Sequence, residues 1–360
     1  MKASVSSEPA PSLTPPRFVY LDLLRIIACL AVIMCHVSAD NWYMLAPADF
    51  RWQVLNVYDS IVCFCVPAFF MISGASFLNP DKPITLKTLY KKYLLRIVAA
   101  YLFWSLAFAV KSYLTSGEVL AFPGALLFIL QKTIESHYHL WFLPVLAGMY
   151  ILTPLLRQIT QKPETTRYFF ILFLIFGAAL PTLQQFEIPY TDILQTVVVM
   201  EIVTGYAGYF VLGHWLHSRE FSKRFRLIAY ALGIFGILAC IVVSALYSLQ
   251  VNEPTAKLYG YLGLPTLLSA AAIFLFFRHH APRWRWAMRY QRFIQRLSAL
   301  TFGAYLVHDF FLSALYDAGI HSTAFNTIAA VPALTLAIFL LSMASSWLIR
   351  RIPFIHRYIT

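Results

Sequence analysis

The chain has 360 residues, of which 60% are hydrophobic and 12% are charged, and its formal net charge is +12. A soluble domain has about a quarter charged residues, so this composition excludes that class and indicates a protein that crosses a membrane several times. The basic residues fall in short segments between apolar runs, where orientation in the membrane explains them, and we therefore expect no nucleic-acid partner.

We predict ten membrane-spanning helices, because a span needs about 20 predominantly apolar residues. In chain order they cover roughly residues 18–38, 54–78, 93–114, 140–157, 168–184, 195–217, 227–249, 258–278, 298–317 and 326–349. The apolar segment 122–130 is too short to span and is expected to lie in the membrane interface. The predicted fold class is therefore all-α and polytopic.

The distribution of Lys and Arg predicts the orientation of these helices. One side of the membrane receives most of them, in the segments 82–96, 157–167, 219–226, 278–296 and 350–357. The other side receives four, which are Arg51, Lys111, Lys132 and Lys257. By the positive-inside rule both termini are cytoplasmic, and we expect cytoplasmic tails at 1–17, which is rich in Ser and Pro and expected to be disordered, and at 352–360.

The first predicted helix carries three ionisable side chains, Asp22, Arg25 and His36. Arg25 and His36 are eleven residues apart, which is about 16 Å along a helix and nearly the same face, and Cys29 and Val32 are expected on that face between them. Asp22 precedes Arg25 by three residues, close enough for a partial ion pair. An Arg at the centre of a span costs about 2.5–3.5 kcal/mol on insertion scales and normally faces a watery cavity. Such a stripe suits either a proton path or a long ligand with a charged head and a reactive tail.

The stretch DLLRIIACLAVIMCH, which contains Arg25 and His36, resembles the opening signature of the acyltransferase-3 family of integral-membrane O-acyltransferases. Further similar segments follow in the family's order, namely VPAFFMISGASFL, KKYLLRIV, HLWFL, GYFVLGHWL and LTFGAYLVH. The resemblance runs from about residue 18 to residue 351, which would form one acyltransferase membrane domain. Within the family the chain is most similar to the WecH-type polysaccharide O-acetyltransferases.

This resemblance implies an enzyme of the cell inner membrane that moves an acyl group, with acetyl favoured, from cytoplasmic acyl-CoA to a hydroxyl. The acceptor would be a surface polysaccharide or a lipid-linked glycan. His36 would act as the general base and Arg25 would belong to the catalytic and donor-binding groups. A covalent acyl-histidine intermediate stays open. Acetyl-CoA would be a substrate, so we expect no permanently bound cofactor. The five cysteines have no metal-ligand spacing to His, so we also expect no metal.

Other residues are candidates, most of them through the same resemblance and Glu201 as a carboxylate inside a predicted span. Lys91, Lys92 and Arg96 begin the third predicted span and would contact the coenzyme A phosphates, although positive-inside signalling explains them equally well. The candidates for acceptor binding are Ser73, His139, Trp141, Glu201 and His308. Ser73 with Gly74 also suits close helix packing, and Trp141 suits an interfacial aromatic belt.

A transporter or flippase for a glycan or acylated intermediate is the alternative function, with the stripe of the first helix as a proton path. Such folds often contain matched halves with Gly- or Pro-broken helices, and no internal repeat is evident here. The enzyme is therefore the preferred interpretation, with membrane lipids as its surroundings.

Overall fold

The computed structural model describes residues 18–117, 122–186, 200–353 and 356–360, and within them the chain is all-α, without a strand. The predicted all-α, multi-pass fold is thereby confirmed. The α-helices are α1 (Val19–Ala39), α2 (Phe50–Val62), α3 (Cys65–Phe77), α4 (Leu86–Thr88), α5 (Leu95–Thr115), α6 (Gly124–Glu135), α7 (Phe142–Gln161), α8 (Pro163–Leu174), α9 (Leu180–Gln184), α10 (Met200–Ser218), α11 (Lys223–Val251), α12 (Leu264–His280), α13 (Arg285–Arg289), α14 (Gln291–Asp317), α15 (Thr327–Ile349) and α16 (His356–Ile359). Short 3₁₀ segments cover Trp42–Met44, Tyr138–Trp141 and Ala281–Arg283, and π-helical turns cover Leu89–Leu94 and Ile175–Ala179.

Eight stretches of the described chain are long and apolar enough to cross a membrane. Two further predicted spans coincide largely with α10 and with α12, which has 17 residues. The span predicted from residue 195 begins outside the described residues, as does the tail predicted at 1–17. The count of ten and the cytoplasmic placement of both termini therefore stay predictions.

The second predicted span, 54–78, is not one continuous helix, because it divides at Cys63 and Phe64 into α2 and α3. Pro67 explains the break, since its ring has no N–H and clashes with the carbonyl four residues earlier in a continuous helix. A new helical register begins directly after it, where the Ala68 amide donates to the Phe64 carbonyl at 3.0 Å. The break lets α2 pack against α11 while α3 packs against α10.

Helices α3 and α10 approach each other closely through two glycines. A Cβ at Gly74 would collide with the carbonyl of Phe210, and a Cβ at Gly213 would collide with the carbonyl of Met71. Glycine is therefore required at both positions by the packing, as in other close membrane helix pairs. The packing interpretation of the Ser73-Gly74 pair holds for its second residue.

Helix α1 lies in the middle of the bundle. It packs against α2, α3, α12, α14 and α15, and its Leu24 and Ala28 are fully buried. The polar stripe of α1 therefore faces the interior of the protein, where ionisable groups in a membrane protein are tolerated.

Helix α6, by contrast, has 12 residues, none of them buried, and is too short to span the membrane.

Candidate functional site

A cavity of about 350 Å³ runs beside α1. From this helix it is lined by Arg25, Val32, Cys35 and His36, so the two ionisable residues of the predicted signature do face one space. Cys29, which we expected on the same face, does not line the cavity. Its thiol instead lies 3.5 Å from the carbonyl oxygen of Thr301 on α14, in the packed core.

Cations gather at one part of the cavity wall, where Arg25, Lys82 and Arg96 all contribute. The Arg25 guanidinium lies 3.3 Å from the carboxylate of Asp22 and donates to the Ser298 hydroxyl at 3.0 Å. Asp22 is only 2% exposed, so the predicted ion pair exists and has a buried carboxylate. The pair holds the Arg25 side chain in place at the cavity wall.

Arg96 reaches the cavity from the first turn of α5. It donates to a carboxylate oxygen of the last residue, Thr360, and its guanidinium lies 5.0 Å from the centre of the Phe302 ring. The end of the chain thus packs beside this residue, with the Trp104 indole donating to the carbonyl of Ile359 at 2.9 Å. Of the basic residues predicted at the start of the third span, Arg96 is the one that lines the cavity.

Lys82 is a cavity residue that the sequence analysis did not single out. It lies in the loop between α3 and α4, with its ammonium 5.5 Å from the Phe77 ring and 5.9 Å from the Tyr93 ring. Burial lowers the pKa of Lys82, and the neighbouring cations Lys92, Arg157 and Arg25 lower it further. Cations assembled in this way repel one another, so this region of the wall favours an anionic ligand.

Histidines from three different segments meet around the other end of the α1 stripe. The rings of His36 and His308 stack with centroids 5.1 Å apart, and His139 lies 5.0 Å from His308 and 6.4 Å from His36. His139 lines the cavity with His36, whereas His308 lies behind them and is fully buried. The structure therefore brings together three residues that the sequence analysis proposed separately.

Behind these rings lies a polar network that the sequence analysis missed. Tyr138 donates to the Asp309 carboxylate at 2.7 Å, and His137 Nε2 lies 3.4 Å from the other oxygen of that carboxylate. His137 Nδ1 and His139 Nδ1 are 2.9 Å apart. The carboxylate favours a proton on His137 Nε2, so His139 donates from Nδ1 and keeps a lone pair on Nε2. His139 Nε2 is buried and has no hydrogen-bond partner in the structure as described.

His137, His139 and Asp309 also offer ligand atoms within 4.8 Å of one another, a spacing that suits a metal ion. Hydrogen bonds within the network account for the cluster without one. The Lys111 ammonium also acts electrostatically on His137, and a nearby cation disfavours a bound metal. The expectation of no metal stays a prediction.

The remaining candidates divide between the cavity and its surroundings. Ser73 and Trp141 line the cavity, and the Trp141 ring stacks on that of Tyr261 with centroids 5.7 Å apart. Lys91 and Lys92 do not line it and are exposed. Glu201 lies in α10, but its side chain falls outside what the structure describes.

One sequence signal would have led to the missed network. Asp309 directly follows His308 inside an apolar run, and an intramembrane carboxylate is functional by default. The aromatic wall of the cavity has no such signal, because its members come from distant segments of a chain rich in aromatic residues. Besides Trp141 they are Phe69, Phe77, Tyr93, Phe142, Tyr150, Tyr261, Phe302 and Tyr305.

Comparison with known proteins gives one result at the level of the family. No curated protein and no solved structure matches the chain. A family model, that of acyltransferase-3, described as an acyltransferase domain, matches residues 18–351. This match spans nearly the whole chain and contains both ends of the cavity. The protein therefore belongs to the acyltransferase-3 family and is a multi-pass membrane acyltransferase.

Proposed function

We propose that the protein transfers an acyl group, with acetyl favoured, from cytoplasmic acyl-CoA to a hydroxyl of a surface polysaccharide or lipid-linked glycan. One observation carries this proposal. A single cavity has Arg25 and Lys82 in one part of its wall and His36 and His139 in another. The two ends of the α1 stripe, Arg25 and His36, are about 16 Å apart along the helix. The proposed site is in the inner membrane.

Coenzyme A fits this division of charge. Its nucleotide head carries phosphates, for which Arg and Lys side chains are the preferred protein partners. A volume of about 350 Å³ is at the low end for small-molecule sites, which suits the slender pantetheine arm with the head at the cationic end. Arg25, Lys82 and Arg96 would contact the phosphates, and Lys91 and Lys92 would act from outside the cavity by raising the local positive potential.

His36 is the proposed general base. Its ring takes the proton of the acceptor hydroxyl while that oxygen bonds to the thioester carbon, and the carbon–sulfur bond breaks to release the coenzyme A thiolate. The thiolate then takes that proton from the imidazolium, directly or through a water molecule, which restores neutral His36. In the covalent alternative a His36 nitrogen attacks the thioester first and the acceptor then removes the acyl group. Stacking on His308 fixes the ring orientation in either case.

The acceptor is proposed to approach from the side of His139 and Trp141. The side chains of Trp141 and His139 line the cavity, and an aromatic face such as that of Trp141 suits a sugar ring. Ser73 adds a hydroxyl to the same cavity. Glu201 stays a candidate for acceptor binding, because an intramembrane carboxylate is functional by default.

The test is the rate of acetyl transfer from radiolabelled acetyl-CoA into membrane glycan by the purified protein. His36→Ala should lower that rate about 10²–10⁴-fold, the usual contribution of a general base. His279→Ala is the matched control, because His279 lies at the end of α12 and is not a cavity residue. Retention of the wild-type rate in a folded His36→Ala protein would refute the assignment.

A further inference from the structure

The loop of residues 78–85 joins α3 to α4 and brings Lys82 to the wall of the cavity. Two local hydrogen bonds shape it, from the Lys82 amide to the Asn79 carbonyl at 3.2 Å and from the Asp81 amide to the Asn79 side chain at 2.9 Å. The two prolines of the loop have no amide hydrogen to add. Local turns of this kind do not fix the position of the loop on the bundle, which depends on contacts from other elements.

One arginine of α7 supplies such contacts. Arg157 donates from Nε to the Phe77 carbonyl at 2.8 Å, and from one Nη to the carbonyls of Asn79 at 3.2 Å and Lys82 at 2.6 Å. The Phe77 carbonyl is in the last turn of α3, where carbonyls have no partner within the helix. A single guanidinium thus ties the end of α3 to the loop as far as Lys82, which its planar fork of donors allows and an ammonium does not.

The same helix also supports the side chain of Lys82. Tyr150 lies two turns before Arg157 on α7, and its ring stacks on that of Phe77 with centroids 4.5 Å apart. The Phe77 ring also contacts that of Tyr93 edge-on, with centroids 4.9 Å apart, and the Lys82 ammonium lies beside both. These three aromatic residues line the cavity together with Lys82. The backbone of Lys82 is therefore held by Arg157, while rings packed against α7 hold its ammonium at the cavity.

Two other roles for Arg157 fit the contacts less well. As a phosphate ligand it would have to face the donor, but it does not line the cavity and its guanidinium is directed at backbone carbonyls. As a plain orientation signal any cation in its segment would serve, whereas three carbonyls at hydrogen-bond distance need the geometry of a guanidinium. The contacts favour a role in placing Lys82.

We propose that Arg157 is a positioning residue for the donor site, which holds the 78–85 loop so that Lys82 reaches the acyl-CoA phosphates. The identity of the ligand at Lys82 rests on the proposed function. Arg157 acts through Lys82 and does not touch the donor. Lysine should therefore fail to replace Arg157 although it keeps the charge, and the effect of that replacement should depend on Lys82.

The test measures acyl-CoA affinity by calorimetry on the purified full-length protein. Arg157→Lys keeps the charge and the orientation signal, and it should weaken binding about 10-fold, the lower end of what one charged contact contributes. In a Lys82→Met background the same change should weaken binding less than about twofold, because the contact is already lost. Arg167→Lys, at an exposed position of α8, is the matched control and should bind as the wild type does. Additive losses from Arg157→Lys and Lys82→Met, or a loss in Lys82→Met with wild-type affinity in Arg157→Lys, would overturn the proposal.

Hydrogen exchange of the ligand-free protein distinguishes a failure of this proposal from a failure of the proposed donor site. The amides of residues 78–84 should exchange several times faster in Arg157→Lys than in the wild type or in Arg167→Lys, while those of α7 exchange as before. Unchanged exchange in the loop would rule out the positioning role. Faster exchange together with wild-type acyl-CoA affinity in Lys82→Met would keep Arg157 as the residue that holds the loop and exclude Lys82 from the donor site.

Discussion

Lys82 gives the most direct test of the donor site, because it reaches the cavity from a loop and its removal leaves the helices intact. A charge-assisted hydrogen bond contributes about 1.5–3 kcal/mol, which corresponds to about 10–100-fold in affinity. Lys82→Met should therefore weaken acyl-CoA binding by that factor, measured by calorimetry on the purified protein. Lys87→Met is the matched control, since Lys87 is an exposed lysine nearby on α4 that does not line the cavity.

The pH dependence of donor binding follows from the same residue. Burial and the neighbouring cations lower the pKa of Lys82, so the side chain loses its proton at a lower pH than an ordinary lysine. A neutral amine cannot pair with phosphate, and donor affinity should fall as the pH rises through that pKa. Lys82→Arg should bind acyl-CoA without this fall, because guanidinium stays protonated throughout.

Stability should respond in the opposite direction. In the window between the lowered pKa and the ordinary lysine value, the folded chain binds fewer protons than the unfolded chain, so stability without ligand rises with pH. Lys82→Met should accordingly raise the melting temperature of the ligand-free protein while it lowers acyl-CoA affinity. Equal effects of Lys82→Met and Lys87→Met on affinity would refute the assignment of Lys82 to an anion site.

Two further predictions concern the donor path and the orientation. Val32 lines the cavity between Arg25 and His36, so Val32→Trp should lower acetyl transfer. Adenosine 3′,5′-bisphosphate, which lacks the pantetheine arm, should still bind to this variant in calorimetry. Ile27→Trp, at an exposed position of the same helix, is the control, and full transfer by Val32→Trp would exclude α1 from the donor path. A cysteine at exposed Ser218 should be shielded from an impermeant thiol reagent in intact cells, whereas one at exposed Asn252 should react, and the reverse pattern would place the cationic end of the cavity outside the cell.

Prediction from the sequence succeeded best for site residues that lie on the same helix. The eleven-residue step from Arg25 to His36 is a property of α1 alone, and helical periodicity predicted that both face one cavity. The same reasoning failed for Cys29, because a helix face about 100° wide includes both cavity and packing positions. Which of them a residue occupies depends on the neighbouring helix, here on the Thr301 carbonyl of α14.

Contacts between distant segments could not be predicted from the sequence. Tyr138 and Asp309 are 171 residues apart, and no local pattern indicates that their side chains meet. Lys82 was grouped with the orientation signal of its loop, since a loop lysine has no periodicity that reveals which way it points. The break at Pro67 could have been predicted from proline chemistry alone, but the apolar run of the second span concealed it.

The two ends of the α1 stripe also differ in how their charges are balanced, and this difference fits their proposed roles. At the cationic end the Asp22 carboxylate contacts Arg25, while Lys82 and Arg96 line the same cavity and leave an excess of positive charge for an anionic donor. Around His36 the polar groups are imidazoles and the hydroxyl of Tyr138, and the Asp309 carboxylate lies behind them, in contact with Tyr138 and His137. Excess positive charge around His36 would oppose the proton uptake that a general base needs. Because the cations and the base are separated along one helix, a single cavity can hold the donor phosphates at one end while His36 accepts a proton at the other.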